Sequence, residues 1–228
     1  MPASDGPDPD EDYVIQTLAA RATARLPDLR VGIGDDAALF ADGRVVTVDT
    51  MVEGVHWDDR LSPADVGWKL VAVNVSDVAA MGGRPEWAVL ALSAPSPLDR
   101  AWIAAFAGGV ADACDRWGVT LVGGDTTRSP VRTASLTVGG RATRPVLRSG
   151  GRPGDDLWVT GTLGRSAEAF LAETPRAEAR AWFRRPEPRV AFAVALAESG
   201  RATAMMDLSD GLRADLGRLC AASGCGAV

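Results

Sequence analysis

Lysine is almost missing from this chain. Lys69 is the only one, and every other cationic side chain is an arginine. That removes most candidates for a catalytic or phosphate-binding lysine. Histidine is reduced to His56. The three cysteines, Cys114, Cys220 and Cys225, form no CxxC or zinc-finger spacing. An odd count and no apolar leader point to a reducing cytoplasm, with free and mostly buried thiols. No apolar run is long enough to span a bilayer. The net charge of −6 argues against a broad nucleic-acid or membrane-binding surface. Absent motifs narrow the field further. There is no GxxxxGK[ST], GIGDDA does not fit GxGxxG, and neither GxSxG nor a kinase HRD/DFG set occurs.

What the chain has in quantity is aspartate at punctuated positions. The stretch Gly32–Trp57 carries Asp35-Asp36 and Asp49, followed by His56. Arg44–Asp49 reads as a strand that delivers Asp49 at its end, after an Asp42-Gly43 turn. Asp77 follows in an apolar helix, then Asp125 after Gly123-Gly124, then Asp207 and Asp210. Aspartate is ordinarily a turn or cap residue, and Asp207 with Ser209-Asp210 would also serve to cap the last helix. As a set they carry a different implication. Two carboxylates about 4 Å apart repel by roughly 4 kcal/mol at an effective dielectric near 20. Several at one rim require a cation, and magnesium characteristically bridges carboxylates to substrate phosphates. Asp125 is the best single candidate, because two glycines let the backbone approach a ligand and Thr126-Thr127 add hydroxyls. Asp77 on an apolar helix face would be costly without a role. Arg148, among glycines, is suited to phosphate. Phosphoryl transfer needs positioning and charge neutralisation rather than a covalent nucleophile.

The pattern predicts a disordered tail over residues 1–12 and a helix over Tyr13–Leu26. A second helix starts at Ser62-Pro63 and ends at Gly82-Gly83, placing Asn74 and Asp77 on one face. A strand follows over Glu86–Ala94 and a helix over Pro97–Trp117. Val119–Val122 reads as a short buried strand running into GGDTTR, and Thr133–Arg141 as another strand. The Arg-, Gly- and Pro-rich stretch Arg144–Gly154 reads as a hinge between an N-terminal α/β domain (13–145) and a C-terminal one (146–228). A strand is expected at Asp156–Gly161, a helix from about Arg165, and a last helix, after Ala202–Met206 and Asp207–Gly211, up to about Ala222. The fold class is α+β, or mixed α/β.

The segments GIGDDAAL, TVDTMVEGVHW, AVNVSDVAAMG, GGDTTRSP, LRSGGRPGD, WVTGTLG and MDLSDGL occur in this order, covering nearly all of the chain from Val31. In this the chain resembles the thiamine-monophosphate kinase family, within the ATP-using superfamily that includes aminoimidazole ribonucleotide synthetase and selenophosphate synthetase. The resemblance implies ATP-dependent phosphorylation of thiamine monophosphate to thiamine diphosphate, with several Mg²⁺ ions. It implies that Asp36, Thr47, Asp49, Asp77, Asp125, Asp207 and Asp210 serve the metals, with Asp125 and Asp210 catalytic. Gly124, Asp125, Arg148 and Ser209 would contact ATP, and His56 the thiamine phosphate. It also implies a two-domain fold and a homodimer joined through the N-terminal sheets. Val48 departs from the family, which often has a hydroxyl residue there, so a metal contact at that position would come from the backbone. The family's GGEDYE-like segment lies past residue 228, so the second domain is expected to be incomplete. Two rivals are another activity of the same superfamily and a non-catalytic acidic metal-binding module, which would ignore ATP. A third is a degraded paralogue serving only as a dimer partner.

Overall fold

The computed structural model describes residues 11–22 and 26–228. Of the Pro- and Asp-rich start, residues 1–10 lie outside the described residues. Helix α1 (Glu11–Arg21) takes in the last two residues of the expected tail and ends before Leu26. Six strands form one sheet: β1 (Leu29–Val31), β2 (Ala38–Phe40), β3 (Arg44–Val52), β4 (Arg84–Ala94), β5 (Thr120–Arg128) and β6 (Thr133–Arg141). Their spatial order is β1-β2-β3-β6-β4-β5, and all pairs are antiparallel except β4–β5. A parallel pair needs a crossover, and helix α3 (Arg100–Trp117) supplies it. The mixed sheet is the expected α+β class.

Helix α2 (Pro63–Ala80) begins as its sequence dictates, with the Ser62 hydroxyl accepting from Asp65 N–H at 3.2 Å. Asp99 caps α3, and Gly118 ends it in the left-handed conformation at φ 69°. The two helices touch backbone to backbone: a Cβ on Gly109 would lie 1.9 Å from the Ala64 carbonyl oxygen. Against them lies one face of the sheet, closing a core of Val45, Leu70, Val71, Val75, Val78, Ala88, Phe106, Leu136 and Val138. Along β3 the alternation is plain, with Val45, Thr47 and Met51 buried under α2 and Val48 60% exposed on the other face.

Several expectations are corrected. β3 runs on to Val52 because β6 pairs with its whole length, so Asp49 sits inside the strand rather than at its end. Val119–Val122 is not a buried strand. β5 lies at the sheet edge, is exposed throughout, and continues through Gly123-Gly124-Asp125. The glycines permit this, since a Cβ on Gly124 would fall 1.9 Å from the Leu90 carbonyl oxygen. Asp156–Gly161 forms no strand. It finds no ladder partner among the described residues, and an isolated extended segment has nothing to satisfy its backbone. Further along the chain, Met205 N–H reaches back to the Leu147 carbonyl at 3.3 Å. All three cysteines are free, but only Cys114 is buried.

The stretch Arg144–Gly154 crosses from β6 towards α4 (Arg165–Leu171), α5 (Ala177–Arg184), α6 (Val190–Ser199) and α7 (Leu212–Ser223). It is tied at both ends. Val146 N–H donates to the Met81 carbonyl at 3.2 Å, and the Ser223 hydroxyl donates to the Arg148 carbonyl at 2.6 Å. Among the described residues, no helix is long and apolar enough to cross a membrane.

Candidate functional site

Three carboxylates from distant parts of the chain meet. Asp36 comes from the turn after β1, Asp77 from the last turn of α2, and Asp207 from the irregular segment before α7. One oxygen from each lies within 4.8 Å of the others. At that separation each ionised pair repels by about 3.5 kcal/mol at an effective dielectric near 20. The α2 C-terminus adds its own partial negative charge beside Asp77.

The protonation equilibria respond accordingly. Burial, and then the charges of Asp49 and Asp207, push Asp77 up to about 8 from an ordinary 3.8. Burial, followed by the Asp36 charge, pushes Asp207 up to about 7, against a Ser76 hydroxyl contact that lowers it. Asp49 is also raised by burial, with His56 opposing. Asp36 is raised by burial despite Arg148.

Among the described residues, Arg148 is the one cation built into the group. Its Nη2 donates to Asp36 Oδ1 at 2.6 Å, where the Asp36 side chain is 0% exposed. Its backbone N–H donates to Asp35 Oδ2 at 3.1 Å. One arginine does not neutralise four acids. Asp36 Oδ2 and Arg148 Nε are left buried without partners. Thr47 faces the same space, its hydroxyl 2.6 Å from Asp77 Oδ2 and 3.2 Å from the Asp36 carbonyl oxygen. A hard divalent cation fits this donor set: all oxygens, an excess of negative charge, and a buried oxygen with nothing to bind.

His56 sits in a tight turn after β3. Its Nδ1 accepts from Val52 N–H at 3.0 Å, which places the neutral ring's proton on Nε2, towards the surface.

The structure does not bring Asp125 to this group within one chain. Asp49 pairs with Leu136, Leu136 with Leu90, and Leu90 with Gly124, all on the α2 side of the sheet. Asp125 pairs with Ala91, which in turn pairs with Ser135, the row on the open face. Three strand spacings also separate it from β3, about 14 Å along the sheet. Asp210 and Ser209 are likewise outside. Asp210 is exposed and accepts from Arg218 at 2.6 Å. Neither caps α7. That work falls to Asp215, fully buried, whose Oδ2 accepts the N–H groups of Ser209, Asp210 and Gly211 at 3.0 Å each.

Sequence reasoning missed Asp215, whose only signal was an acid in the first turn of the last helix. It also left Asn74 and Ser76 without roles. Asn74 accepts from Asp49 N–H, and Ser76 contacts Asp207. A cleft of about 630 Å³ lined by Asp65, Arg165, Trp182, Arg184 and Arg185 lies at the opposite end of α2 and includes none of the cluster.

Fold and carboxylate cluster together define an AIR synthase related protein: the model for the N-terminal domain of that family matches residues 34–142, and the C-terminal one 152–228. Within it, the chain belongs to the thiamine-monophosphate kinase family. It is 36% identical over 232 residues to the Bacillus subtilis thiamine-monophosphate kinase, covering 94% of this chain and 71% of that one. To the Salmonella typhimurium thiamine-monophosphate kinase it is 40% identical over 217 residues, 88% of this chain. The chain spans 65% of that relative's length. A solved structure of AaThiL complexed with AMPPCP and TMP superposes with a TM-score of 0.83 at 34% identity, covering 94% of this chain and 70% of that one.

Proposed function

We propose that this chain carries the phosphoryl-transfer site of a thiamine-monophosphate kinase, converting ATP and thiamine monophosphate to ADP and thiamine diphosphate. The observation that carries the reading is the meeting of Asp36, Asp77 and Asp207 around a buried, unpartnered oxygen. The likeness to a relative solved with an ATP analogue and TMP supports the substrates.

In this reading Asp36, Asp77 and Asp207, with Asp49 and the Thr47 hydroxyl beside them, hold Mg²⁺. The ion would neutralise charge on the transferring phosphates and orient them. Arg148, paired with Asp36, would also pair with phosphate. Ser209 and Gly124 would contact ATP, Asp210 would serve the metal set, and His56 would present Nε2–H to the thiamine phosphate. Asp125, a metal and catalytic residue in this reading, acts on phosphates from the open face, which calls for a second copy of the chain. A homodimer through that face is supported by the exposure of Val48 and of the entire edge strand β5. Residues 13–145 would form the N-terminal domain with the ATP and metal site, and 146–228 belong to the C-terminal one. Three free cysteines suit a cytoplasmic setting.

The test incubates the chain with ATP, Mg²⁺ and thiamine monophosphate and measures thiamine diphosphate and ADP, alongside nucleotide binding. Product that disappears in Asp77→Asn is expected. ATP bound without turnover of thiamine monophosphate would point to another phosphate acceptor. No ATP binding at all would leave a metal-binding module and refute the kinase reading.

A further inference from the structure

We propose that Asn74 is a positioning residue for the metal site, holding the Asp49 carboxylate in register with Asp77. The inference rests on the metal-holding role of the cluster given above. Asn74 is 0% exposed in the middle of α2, one helical turn before Asp77. Its Oδ1 accepts from Asp49 N–H at 2.9 Å, and its Nδ2 donates to the Leu70 carbonyl at 2.9 Å. The amide therefore has one orientation. Turned over, it would set its NH₂ against the Asp49 N–H and its oxygen against the Leu70 carbonyl, losing both bonds.

The bond stands where the sheet leaves a gap. β2 pairs with β3 only at Val45 and Val46, whereas β6 pairs with β3 along its whole length. Beyond Val46 the β2-side edge of β3 has no strand neighbour in the sheet, and Asn74 takes the place of one at Asp49. One side chain thus ties the strand carrying Thr47 and Asp49 to the helix carrying Asp77. The cluster needs that tie more than an ordinary strand would. The tie fixes the placement of two acids that stand on separate elements, Asp49 on β3 and Asp77 on α2. Buried groups that fix the orientation of metal ligands typically change metal affinity 10- to 100-fold when removed.

The experiment measures Mn²⁺ binding by the loss of its free EPR signal, with a non-hydrolysable ATP analogue present, for the unaltered chain, Asn74→Leu and Asn74→Asp. Asn74→Leu is expected to weaken Mn²⁺ about 10- to 100-fold while circular dichroism still reports a folded protein. Asn74→Asp keeps an oxygen to accept the Asp49 N–H and is expected to bind Mn²⁺ at least as tightly as the unaltered chain. Should Asn74→Leu fail to fold, Asn74→Ser is read in its place, since serine can still bond the Leu70 carbonyl but cannot reach Asp49. A folded Asn74→Leu or Asn74→Ser with unchanged Mn²⁺ affinity overturns the proposal, as does an equal loss in Asn74→Asp. If the unaltered chain itself binds no Mn²⁺, it is the metal-site reading that fails.

Discussion

Raising the pH in the absence of divalent metal should destabilise this protein well before any alkaline group titrates. Asp77 goes from an ordinary 3.8 to about 8 on folding, and Asp207 to about 7. A carboxyl that holds its proton more tightly folded than unfolded contributes stability while protonated. That contribution is complete below about pH 4 and lost as the pH rises through about 7 for Asp207 and about 8 for Asp77. Each retained proton corresponds to a loss of up to about 1.4 kcal/mol per pH unit across that window. A rise of about four units in one buried carboxyl amounts to roughly 5 kcal/mol, comparable to the whole stability of many domains. The two acids repel each other, so their contributions share one repulsion and do not add. The assay is urea unfolding in EDTA, followed by tryptophan fluorescence, at intervals from pH 5 to 8.5. The midpoint should fall steadily with pH, and Mg²⁺ at a hundred times its dissociation constant should return about 2.7 kcal/mol at the alkaline end. Asp77→Asn should flatten the EDTA profile and be more stable than the unaltered chain at pH 8.5. A metal-free midpoint that stays level or rises between pH 5 and 8 would refute the account of the cluster.

Three further outcomes are expected. Asp215→Ala removes the acceptor of three backbone N–H groups and should cost about 3 kcal/mol, with faster amide exchange at Ser209–Gly211 as the local readout. Gly109→Ala sets a methyl 1.9 Å from the Ala64 carbonyl oxygen, so α2 and α3 must separate; a thermal-unfolding loss of 1–3 kcal/mol or more is expected, and an unchanged midpoint would mean the helices are not in contact. Asp125→Asn lies on an exposed edge strand and should leave unfolding within about 0.5 kcal/mol while abolishing Mg²⁺-dependent ATP binding; calorimetry showing unchanged ATP affinity would remove Asp125 from the site.

The sequence by itself determined the helices α2 and α3, the strand β6, and the acidic stations, because each is written in local chemistry. Ser62-Pro63 starts α2, Gly118 stops α3, and β-branched alternation marks β3 and β6. The ordered motifs were legible for the same reason, since each sits on a turn or helix end where few residues suffice. What the sequence did not contain is which aspartates share a space. Asp36, Asp77 and Asp207 are separated by up to 171 positions (207 − 36) and meet only through folding. Asp125 looks equally qualified in sequence, yet strand pairing turns it to the opposite face, because a pleated strand sends successive side chains to opposite sides. The expected strand at Asp156–Gly161 went the same way: apolar, extended sequence makes a strand only where a neighbouring strand takes up its hydrogen bonds. Tertiary structure also decided what the lone arginine near the cluster does. Arg148 could have been a solvated surface charge, and burial against Asp36 makes it, among the described residues, the only cation on a site still short of positive charge.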